Sequence, residues 1–340
     1  MRIGPLGLIH SRDMRAIVIA KPGGPEVLEL REVPTPAPSR GEVRVRVRAT
    51  AVNRADLLQR LGVYPAPPGS PRDIPGLEIA GEVDAIGDDV TELALGDRVF
   101  GLVGGGGYAE QVTAHARSLA RMPEGMSFTD AAAVPEAFVT AWDAMVDQAN
   151  LSPGETVLVN AVGSGVGTAA VQIARAIGAR TLGTARTADK LERARPLGLD
   201  EGIVVLDGKF SDEVRKRTAG RGVDVVVELV GGAYVAQDVA CLAHKGRIVV
   251  VGAMGGAMVD LNLGILMQKR GEIRGTMLRS RPLEEKILAA RSFERHVVPL
   301  FARGALRPIV DRVLPLAKAG EAHTVMQSNE TFGKVVLEVG

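Results

Sequence analysis

The sequence predicts an α/β protein that combines a doubly wound parallel sheet with a separate β-rich region. The main observation is an apolar, β-branched run, Thr156–Ala161, which suits a strand buried on both faces. Gly163, Gly165 and Gly167 follow at once, and a helical pattern then runs to Gly178, where a helix C-terminal glycine is expected. Strand and helix patterns alternate after this stretch, whereas the first third of the chain shows strands separated by turns.

The first third of the chain carries period-2 patterns that are broken by glycine and proline turns. Its clearest segment, EVRVRVRATA at Glu42–Ala51, has one apolar and one charged face, as a half-buried strand requires. A short helix is predicted at Asn53–Leu61, before a proline-rich loop at Tyr64–Pro75. The other strands of this region are predicted at Ala16–Ala20, Val27–Glu32, Ile79–Ile86 and Arg98–Leu102.

From Phe128 the pattern changes to helices and then to alternating strands and helices. Strands are predicted at Thr156–Ala161, Arg180–Ala185, Ile203–Leu206, Val223–Val230, Arg247–Gly252 and Ile273–Leu278. Helices are predicted at Thr129–Ala133, Ala137–Gln148, Asp189–Arg195, Asp212–Thr218 and Ala233–Leu242. The elements after Pro282 have no glycine site of their own, so we expect them to return to the first domain and make the parallel-sheet domain an insertion.

Composition excludes several classes of protein. A chain of 340 residues exceeds one ordinary core, so two domains are expected. The formal net charge is +1, without a basic block interleaved with aromatics, so nucleic acid is not an expected partner. The single cysteine, Cys241, fits a reducing compartment and a cytoplasmic location, and no apolar run is long enough to span a bilayer. Met1–Asp13 is expected to be an unstructured extension, with Met14 as an alternative start.

The strand, glycine turn and helix at residues 156–177 have the layout of a dinucleotide pocket, because glycines admit a pyrophosphate and the helix N-terminus offers free N–H groups. NAD enzymes of this fold carry Asp or Glu about 20 residues past the turn, and that count from Gly165 reaches Ala185. Arg186 follows and Lys190 lies one helical turn further, while Asp189 is expected at a helix N-cap, facing the backbone. The sequence therefore predicts NADPH over NADH.

Several strings, in order, resemble the zinc-independent quinone-oxidoreductase branch of the medium-chain dehydrogenase/reductase family. They are NRADLLQR (Asn53–Arg60), PGLEIAGEV (Pro75–Val83), GDRVFGL (Gly96–Leu102), GGYAEQV (Gly106–Val112), AAAVPEAFVTAW (Ala131–Trp142), GSGVGTAAVQIA (Gly163–Ala174) and GKVVLEV (Gly333–Val339). The resemblance covers Met14–Val339. It implies a GroES-like catalytic domain at residues 14–136 and 279–340, an inserted Rossmann domain at residues 137–278, and an NADPH site in the cleft between them.

The resemblance also implies site residues. It places the NRAD segment at the cleft, so Asn53, Asp56 and Tyr64 are candidate catalytic residues near the nicotinamide. For Asp56 the alternative is a charge on a solvated helix face, and the proton donor is left open between Tyr64 and water. Lys334 matches a place where family members put a cation toward the cofactor phosphates. The candidate cofactor contacts are Thr140, Gly163, Gly165, Val166, Gly167, Arg186, Lys190, Gly252, Ala253, Met254, Asn329 and Lys334.

No metal site is expected. In zinc-dependent relatives Cys or His occupies the places that here hold Asn53, Leu77 and Glu136, and the five histidines are scattered. A simple ketone that accepts hydride becomes an alkoxide, which needs a metal or a strong proton donor, whereas a quinone or an enone spreads the new charge. The expected reaction is metal-free hydride transfer from NADPH to a quinone or another conjugated carbonyl.

Two other functions stay open at this stage. One is an enal, enone or enoyl-thioester reductase on the same scaffold, and the other is a nucleotide-binding or RNA-binding protein of the crystallin type with little turnover. Aromatic residues make up only 3% of the chain, which argues against RNA. We further expect a homodimer in which Ala257–Leu263 (AMVDLNL) forms an edge strand that pairs across a two-fold axis.

Overall fold

The N-terminal part of the chain folds as antiparallel strands around short helices. A computed structural model describes residues 13–340. Its first elements are β1 (Asp13–Ile19), β2 (Leu28–Pro34), β3 (Glu42–Ala51), α1 (Arg54–Arg60), β4 (Glu78–Ile86), β5 (Arg98–Leu102), β6 (Gln111–His115), β7 (Leu119–Arg121) and α2 (Phe128–Ala132). Strand β3 is central, because it pairs antiparallel with both β4 and β6, while β1 and β2 form a separate ribbon. We call this part, with the C-terminal strands described below, the catalytic lobe.

The middle of the chain forms a parallel sheet covered by helices, here called the nucleotide lobe. Its elements are α3 (Pro135–Trp142), β8 (Thr156–Val159), α4 (Gly165–Ile177), β9 (Arg180–Ala185), α5 (Ala188–Ala194), β10 (Glu201–Val204), α6 (Ser211–Arg217), β11 (Val223–Glu228), α7 (Ala233–Cys241), β12 (Leu242–Val250), α8 (Leu263–Lys269) and β13 (Glu272–Gly275). The strand order is β10-β9-β8-β11-β12-β13, and each neighbouring pair is parallel. This order confirms the predicted doubly wound sheet.

The C-terminal elements return to the first sheet. They are α9 (Leu283–His296), α10 (Val298–Ala302), β14 (Val310–Pro315), α11 (Ala319–Ser328) and β15 (Lys334–Glu338). Strand β15 pairs antiparallel with β3, with Val336 opposite Ala51. A GroES-like domain with a Rossmann-like sheet between its two segments is therefore the observed fold, whereas the boundaries at 136/137 and 278/279 stay a prediction.

The two lobes share a continuous apolar core around α3. The buried cluster includes Phe100 of the catalytic lobe, Phe138 of α3, and Ile173 of the nucleotide lobe. The ring of Phe138 lies 4.8 Å from that of Phe301 in an edge-to-face arrangement. This packing holds the N-terminal turn of α3 at the junction of the lobes, where the candidate site lies.

Some local predictions were wrong. Strands β6 and β7 were not predicted, because each contributes few apolar residues and owes its extended form to pairing with β3 and β5. Ala257–Leu263 is not a strand: the segment has no ladder partner among the described residues, and Asn262 instead caps α8. Met258 in this segment is 89% exposed. The edge strands of the parallel sheet are β10 and β13, of which β13 is the one that follows this segment in the sequence.

Two further expectations need adjustment. Asp189 is not an N-cap, because Thr187 precedes α5 and Asp189 lies in its first turn, exposed and paired with Arg193. The proposed extension, residues 1–13, lies outside the described residues except for Asp13, which begins β1. None of the helices formed by residues 13–340 is both long and apolar enough to cross a bilayer.

Candidate active site

The glycine turn between β8 and α4 is tightly packed, and a Cβ on any of its three glycines would lie less than 3 Å from a neighbouring atom. A Cβ on Gly167 would lie 2.4 Å from the Ala161 carbonyl oxygen, so this glycine permits the close approach of helix and strand. A Cβ on Gly163 would lie 2.8 Å from Cδ of Lys190, and one on Gly165 would lie 2.5 Å from Cδ of Lys334. Two lysine side chains therefore flank the N-terminus of α4, where a dinucleotide pyrophosphate is expected to bind.

A group of cations lies beyond the C-terminal end of β9, on one side of this turn. Lys190 Nζ donates to the Asn329 carbonyl oxygen at 2.5 Å, and Arg186 donates to the same oxygen at 3.2 Å. Arg54, from α1 of the catalytic lobe, donates to the side-chain oxygen of Asn329. We call Arg54, Arg186 and Lys190 the basic cluster.

The cations of the basic cluster repel one another. Burial lowers the pKa of Lys190, and the neighbouring Arg186 and Arg54 lower it further, although the charge of Asp311 opposes them. Burial and Arg186 likewise lower the pKa of Arg54. An anion bound among these side chains would relieve this repulsion, so the cluster fits a phosphate group.

Other predicted cofactor residues lie along the same edge of the parallel sheet. The hydroxyl of Thr140 on α3 is buried and has no hydrogen-bond partner among the described residues, as expected of a group that meets a ligand. Val166 lies in the first turn of α4, partly exposed. The turn Gly252–Met254 follows β12, so it lies at the carboxyl ends of the strands, where ligands of this fold bind. These residues and the glycine turn fit a dinucleotide.

Asn53 lies in a buried polar cluster that also contains Glu78 and Lys334. Its amide nitrogen donates to Glu78 Oε1 at 2.8 Å, and its oxygen accepts from Lys334 Nζ at 2.5 Å. Lys334 Nζ also lies 2.7 Å from Glu78 Oε1, and Glu78 Oε2 accepts from the backbone N–H of Glu136 at 2.8 Å. The stem of Lys334 crosses Gly165, whereas its ammonium group bonds within the catalytic lobe, so its contact with the phosphates stays a prediction.

Asp56 is fully buried rather than on a solvated helix face. Its carboxylate accepts from the backbone N–H groups of Asn53 at 2.8 Å and Gly76 at 3.0 Å, and from the Tyr108 hydroxyl at 3.2 Å. Burial raises the pKa of Asp56 to about 6, although these hydrogen bonds and the charge of Lys334 oppose the shift. These contacts hold Asn53 in place, so the role that they support for Asp56 is to position Asn53.

A chain of buried polar groups anchors this part of α1 to α11. The Tyr108 hydroxyl lies 3.2 Å from His323 Nε2, and Arg60 lies 3.1 Å from His323 Nδ1. Burial lowers the pKa of His323 to about 3, so the imidazole is neutral at physiological pH. Because Arg60 can only donate, the His323 proton lies on Nε2 and faces the Tyr108 oxygen.

Tyr64 is half-buried and held by Arg279. The Arg279 guanidinium lies 5.1 Å from the centre of the Tyr64 ring and donates to Gln59 at 2.6 Å and to the Gly104 carbonyl at 3.0 Å. Burial raises the pKa of Tyr64, the nearby charge of Glu136 adds to this effect, and Arg279 opposes it. Arg279 thus joins α1, the proline-rich loop and the glycine loop at residues 104–107.

A cavity of about 940 Å³ opens beside these groups. Its inner wall includes Leu77, Phe100, Glu136, Val139, Leu278 and Arg279. The wall is mostly apolar with a few polar groups, as is usual for a small-molecule site. Among residues 13–340 no three His, Cys, Asp or Glu side chains are grouped as a metal would require.

The sequence analysis missed four residues of this site. Glu78, Arg54 and Arg279 make the contacts described above, and Glu136 was considered only as a former metal-ligand position. Arg54 directly follows Asn53 in the NRAD string, so its position next to a predicted site residue could have indicated its role. Arg279 gave no local signal, since its partner Gln59 is 220 residues away.

Comparisons with known proteins show the family to which the chain belongs. Residues 39–124 match the alcohol dehydrogenase GroES-like domain family model, and residues 165–293 match the zinc-binding dehydrogenase family model. The chain is 34% identical to quinone oxidoreductase of Homo sapiens, over 95% of this chain and 97% of that protein. It is 35% identical to quinone oxidoreductase of Pseudomonas aeruginosa, over 95% of this chain and 99% of that protein.

Solved structures of several activities share the fold. An NAD-dependent alcohol dehydrogenase superposes with a TM-score of 0.84 at 36% identity, covering 96% of this chain and 100% of the other. CurK enoyl reductase gives a TM-score of 0.84 at 29% identity, covering 96% and 99%. Mycobacterial Rv1454c complexed with NADPH also gives 0.84 at 29% identity, with the same coverage.

Proposed function

The chain belongs to the medium-chain dehydrogenase/reductase family, in its quinone oxidoreductase branch, and from this premise we propose that it is an NADPH-dependent, metal-free reductase of quinones or other conjugated carbonyls. The observation that carries the proposal is the cluster of Lys334, Glu78 and Asn53. Zinc-dependent relatives place a metal ligand at the position of Asn53, whereas here its amide bonds to Glu78 and Lys334. Leu77, at another ligand position, has no donor atom.

The absence of a suitable ligand set restricts the acceptor. An isolated alkoxide would need a metal ion or a strong acid beside it, whereas the reduced form of a quinone or an enone is a delocalised anion. Hydrogen bonds and correct placement then suffice. The mostly apolar wall of the cavity, which includes Arg279 beside Tyr64, suits a flat conjugated acceptor.

The residues at the sheet edge fit NADPH as the reductant. When bound, the dihydronicotinamide supplies a hydride. The N-terminus of α4 and the glycine turn would hold the pyrophosphate, and the Thr140 hydroxyl is free to bond near the nicotinamide. The basic cluster would hold a 2′-phosphate, and Ala185 puts no carboxylate in its way. The similar solved structures include an NAD-dependent alcohol dehydrogenase and a complex with NADPH, so they do not decide between NADPH and NADH for this chain.

Reduction of an enal, an enone or an enoyl thioester is the second candidate. It is supported by the likeness to CurK enoyl reductase. The chain is also 34% identical, over 97% of its length, to a mycocerosic acid synthase-like polyketide synthase of Mycobacterium tuberculosis. The match covers 16% of that synthase. A cavity of about 940 Å³ has room for either kind of acceptor. A nucleotide-binding protein with little turnover is the remaining possibility.

The deciding experiment is an assay of NADPH oxidation by the purified protein against quinones, enals, enones and enoyl thioesters. We expect turnover of conjugated carbonyls, no turnover of simple ketones, and no effect of chelators. Preference for an enoyl thioester over every quinone would select the second candidate. Binding of NADPH without turnover of any acceptor, or one zinc per chain that activity requires, would overturn the proposal.

Two further proposals concern assembly and location. The surface around α8 is apolar and uncovered: Met258 and Met267 are 89% and 75% exposed, and none of the residues of α8 is buried. This surface adjoins the edge strand β13, so we propose a homodimer formed by a second copy at this edge. A cytoplasmic location is proposed only because the chain has a single cysteine.

A further inference from the structure

Glu136 has a carboxyl group at the wall of the cavity and no evident structural role. Proline at the first position of α3 fixes the helix start, and the backbone N–H of Glu136 donates to Glu78 Oε2 at 2.8 Å. Its side chain lines the cavity with Leu77 and Phe100, and it accepts no hydrogen bond from another described residue. The backbone of Glu136 is therefore fixed by Glu78, while its carboxyl group borders the cavity, where a bound molecule can contact it.

The surroundings of Glu136 favour its protonated form. Burial raises the pKa of Glu136 to about 7, with the charges of Glu78 and Asp56 adding to the shift, while Lys334 and Arg279 oppose it. A carboxyl group with this pKa is an effective acid at neutral pH, since it carries a proton and releases it readily. Burial raises the pKa of the nearby Tyr64 as well, and the charge of Glu136 adds to this shift, while Arg279 opposes it. Arg279 and Lys286 line the same cavity as Glu136.

Glu136 is also close to the expected nicotinamide position. Thr140, whose buried hydroxyl lacks a partner, follows it by four residues, and residues at this spacing lie on the same face of a helix. Ala137, the next residue of α3, packs against the glycine turn, because a Cβ on Gly165 would lie 3.8 Å from Cβ of Ala137. The carboxyl group thus lies one helical turn from the cofactor contact, on the cavity side where the acceptor must bind.

We propose that the carboxyl group of Glu136 donates the proton that completes reduction of the acceptor. The inference rests on the proposed function. A bound dihydronicotinamide would supply the hydride, and with it the two electrons, that the conjugated carbonyl compound gains. The O–H bond of Glu136 breaks as a new bond forms between that proton and the anion of the reduced acceptor. The carboxylate is then reprotonated by a proton from the solution, so that each turnover consumes one hydride and one proton.

The size of the effect should depend on the acceptor. The anion left by an enone is a stronger base than the anion of a hydroquinone, so it depends more on a proton donor. We expect Glu136→Gln to lower kcat about 100-fold with an enone and less than about tenfold with a quinone. Glu136→Asp should restore part of the loss, and Glu285→Gln, which changes an exposed carboxylate of α9, should leave both rates unchanged.

The pH profile gives a second readout of the enzymatic reaction. In the wild type, kcat with the enone should fall as the pH rises through about 7, since the acid form of Glu136 is then lost. The wild-type kcat should also show a solvent deuterium isotope effect, because a proton is transferred. In Glu136→Gln both the decline and the isotope effect should disappear. An equal loss with both acceptors and an unchanged pH profile would give Glu136 a structural role and overturn the proposal.

A binding measurement tests the carboxyl group without turnover. The probe is 2,4-dinitrophenolate, which mimics the reduced acceptor and remains an anion from about pH 5.5 to about pH 8.5. Its affinity should fall about tenfold or more across this range in the wild type, because the Glu136 carboxylate repels it, and fall much less in Glu136→Gln, where Asp56 still titrates. Equal pH dependence in both proteins would contradict the inference. If the wild type reduces no acceptor, the proposed function fails, whereas turnover with level binding in both proteins overturns only the role of Glu136.

Discussion

The ammonium nitrogen of Lys334 lies 2.7 Å from Oε1 of Glu78, and both side chains are buried. Removing the cation would leave the Glu78 carboxylate uncompensated in the interior. We therefore expect Lys334→Met to lower the free energy of unfolding by about 3–5 kcal/mol, measured by urea denaturation.

The double variant Lys334→Met/Glu78→Gln is the matched control, because it removes both charges. It should recover part of the lost stability. A double variant no more stable than Lys334→Met would show that the pair is not the source of the effect.

Asn53 and Tyr64 are expected to place the acceptor, and their substitution should reduce kcat/KM. Tyr64→Phe removes one hydroxyl, so a loss of about tenfold is expected, corresponding to one hydrogen bond. Asn53→Ala should cost more, since it also releases Glu78 and Lys334. Steady-state assays with a quinone and an enone measure both.

Tyr234→Phe, which changes a tyrosine in the nucleotide lobe, serves as the control and should keep full activity. Unchanged kcat/KM for every acceptor in both Tyr64→Phe and Asn53→Ala would show that the site is assigned to the wrong residues.

Elements with strong local patterns were predictable from the sequence. Strand β3 was predicted at its observed bounds, Glu42–Ala51, because its apolar and charged residues alternate throughout. The glycine turn and the C-terminal Gly178, whose φ is +89°, were also recognised, since glycine marks close packing at the turn and a left-handed helix end. Ala257–Leu263 has a similar alternation but no neighbouring strand in the same chain, so the pattern alone gave the wrong element.

The site was less predictable because distant segments build it. Glu136 and Thr140 are neighbours on α3, but Glu136 becomes an acid only through burial beside Glu78, which belongs to β4. Likewise, the sequence around Lys334 is typical of a lysine on an edge strand. Lys334 is buried against Glu78 only because β15 pairs with β3. Tertiary contacts of this kind leave no local signature.

Asp238 should make the protein less stable as the pH rises. Burial and the adjacent Glu228 carboxylate hold the pKa of Asp238 well above its usual range, and Asn160 donates to both side chains. The folded state thus keeps a proton that the unfolded chain releases above about pH 3.9. Stability from this group is fully present below that pH and declines as the pH rises toward the raised folded-state value.

Asp238→Asn should reduce this decline, since an amide can bond to Glu228 without a titrating proton. Thermal unfolding from about pH 5 to about pH 8 measures it, with a wild-type slope of up to about 1.4 kcal/mol per pH unit from this group. Asp88→Asn, an exposed carboxylate, is the control. Identical slopes in the wild type and Asp238→Asn would contradict a proton retained by Asp238 in the folded state.

The proposed homodimer is tested at its apolar surface. We expect the wild type to be a dimer by light scattering and Met258→Glu/Met267→Glu to be a monomer, because two charges would be buried in the interface. Leu206→Glu is the matched control: Leu206 is 86% exposed next to β10, at the opposite edge of the sheet, so this variant should remain a dimer. A monomeric wild type at assay concentration would contradict the proposal.

The last prediction concerns the choice of dinucleotide. Lys190, Arg186 and Arg54 meet at Asn329, and the absence of a carboxylate at Ala185 leaves this position open to a 2′-phosphate. One charge-assisted hydrogen bond contributes about 1.5–3 kcal/mol, or roughly 10- to 150-fold in affinity. Lys190→Ala should therefore raise KM for NADPH by this factor while leaving NADH nearly unaffected.

Arg54→Ala should act in the same direction, which would show that the catalytic lobe also contacts the phosphate. Calorimetry with 2′,5′-ADP and with 5′-ADP separates binding of the 2′-phosphate from binding of the 5′-phosphates. Lys209→Ala, which changes an exposed lysine of the same lobe as Lys190, is the control and should leave the affinity for both ligands unchanged. An equal loss of both ligands in Lys190→Ala would assign this lysine to the fold or to the pyrophosphate, and a wild-type preference for NADH would overturn the cofactor proposal. We expect a selective loss of 2′,5′-ADP, because only that ligand carries the anion that relieves the repulsion within the basic cluster.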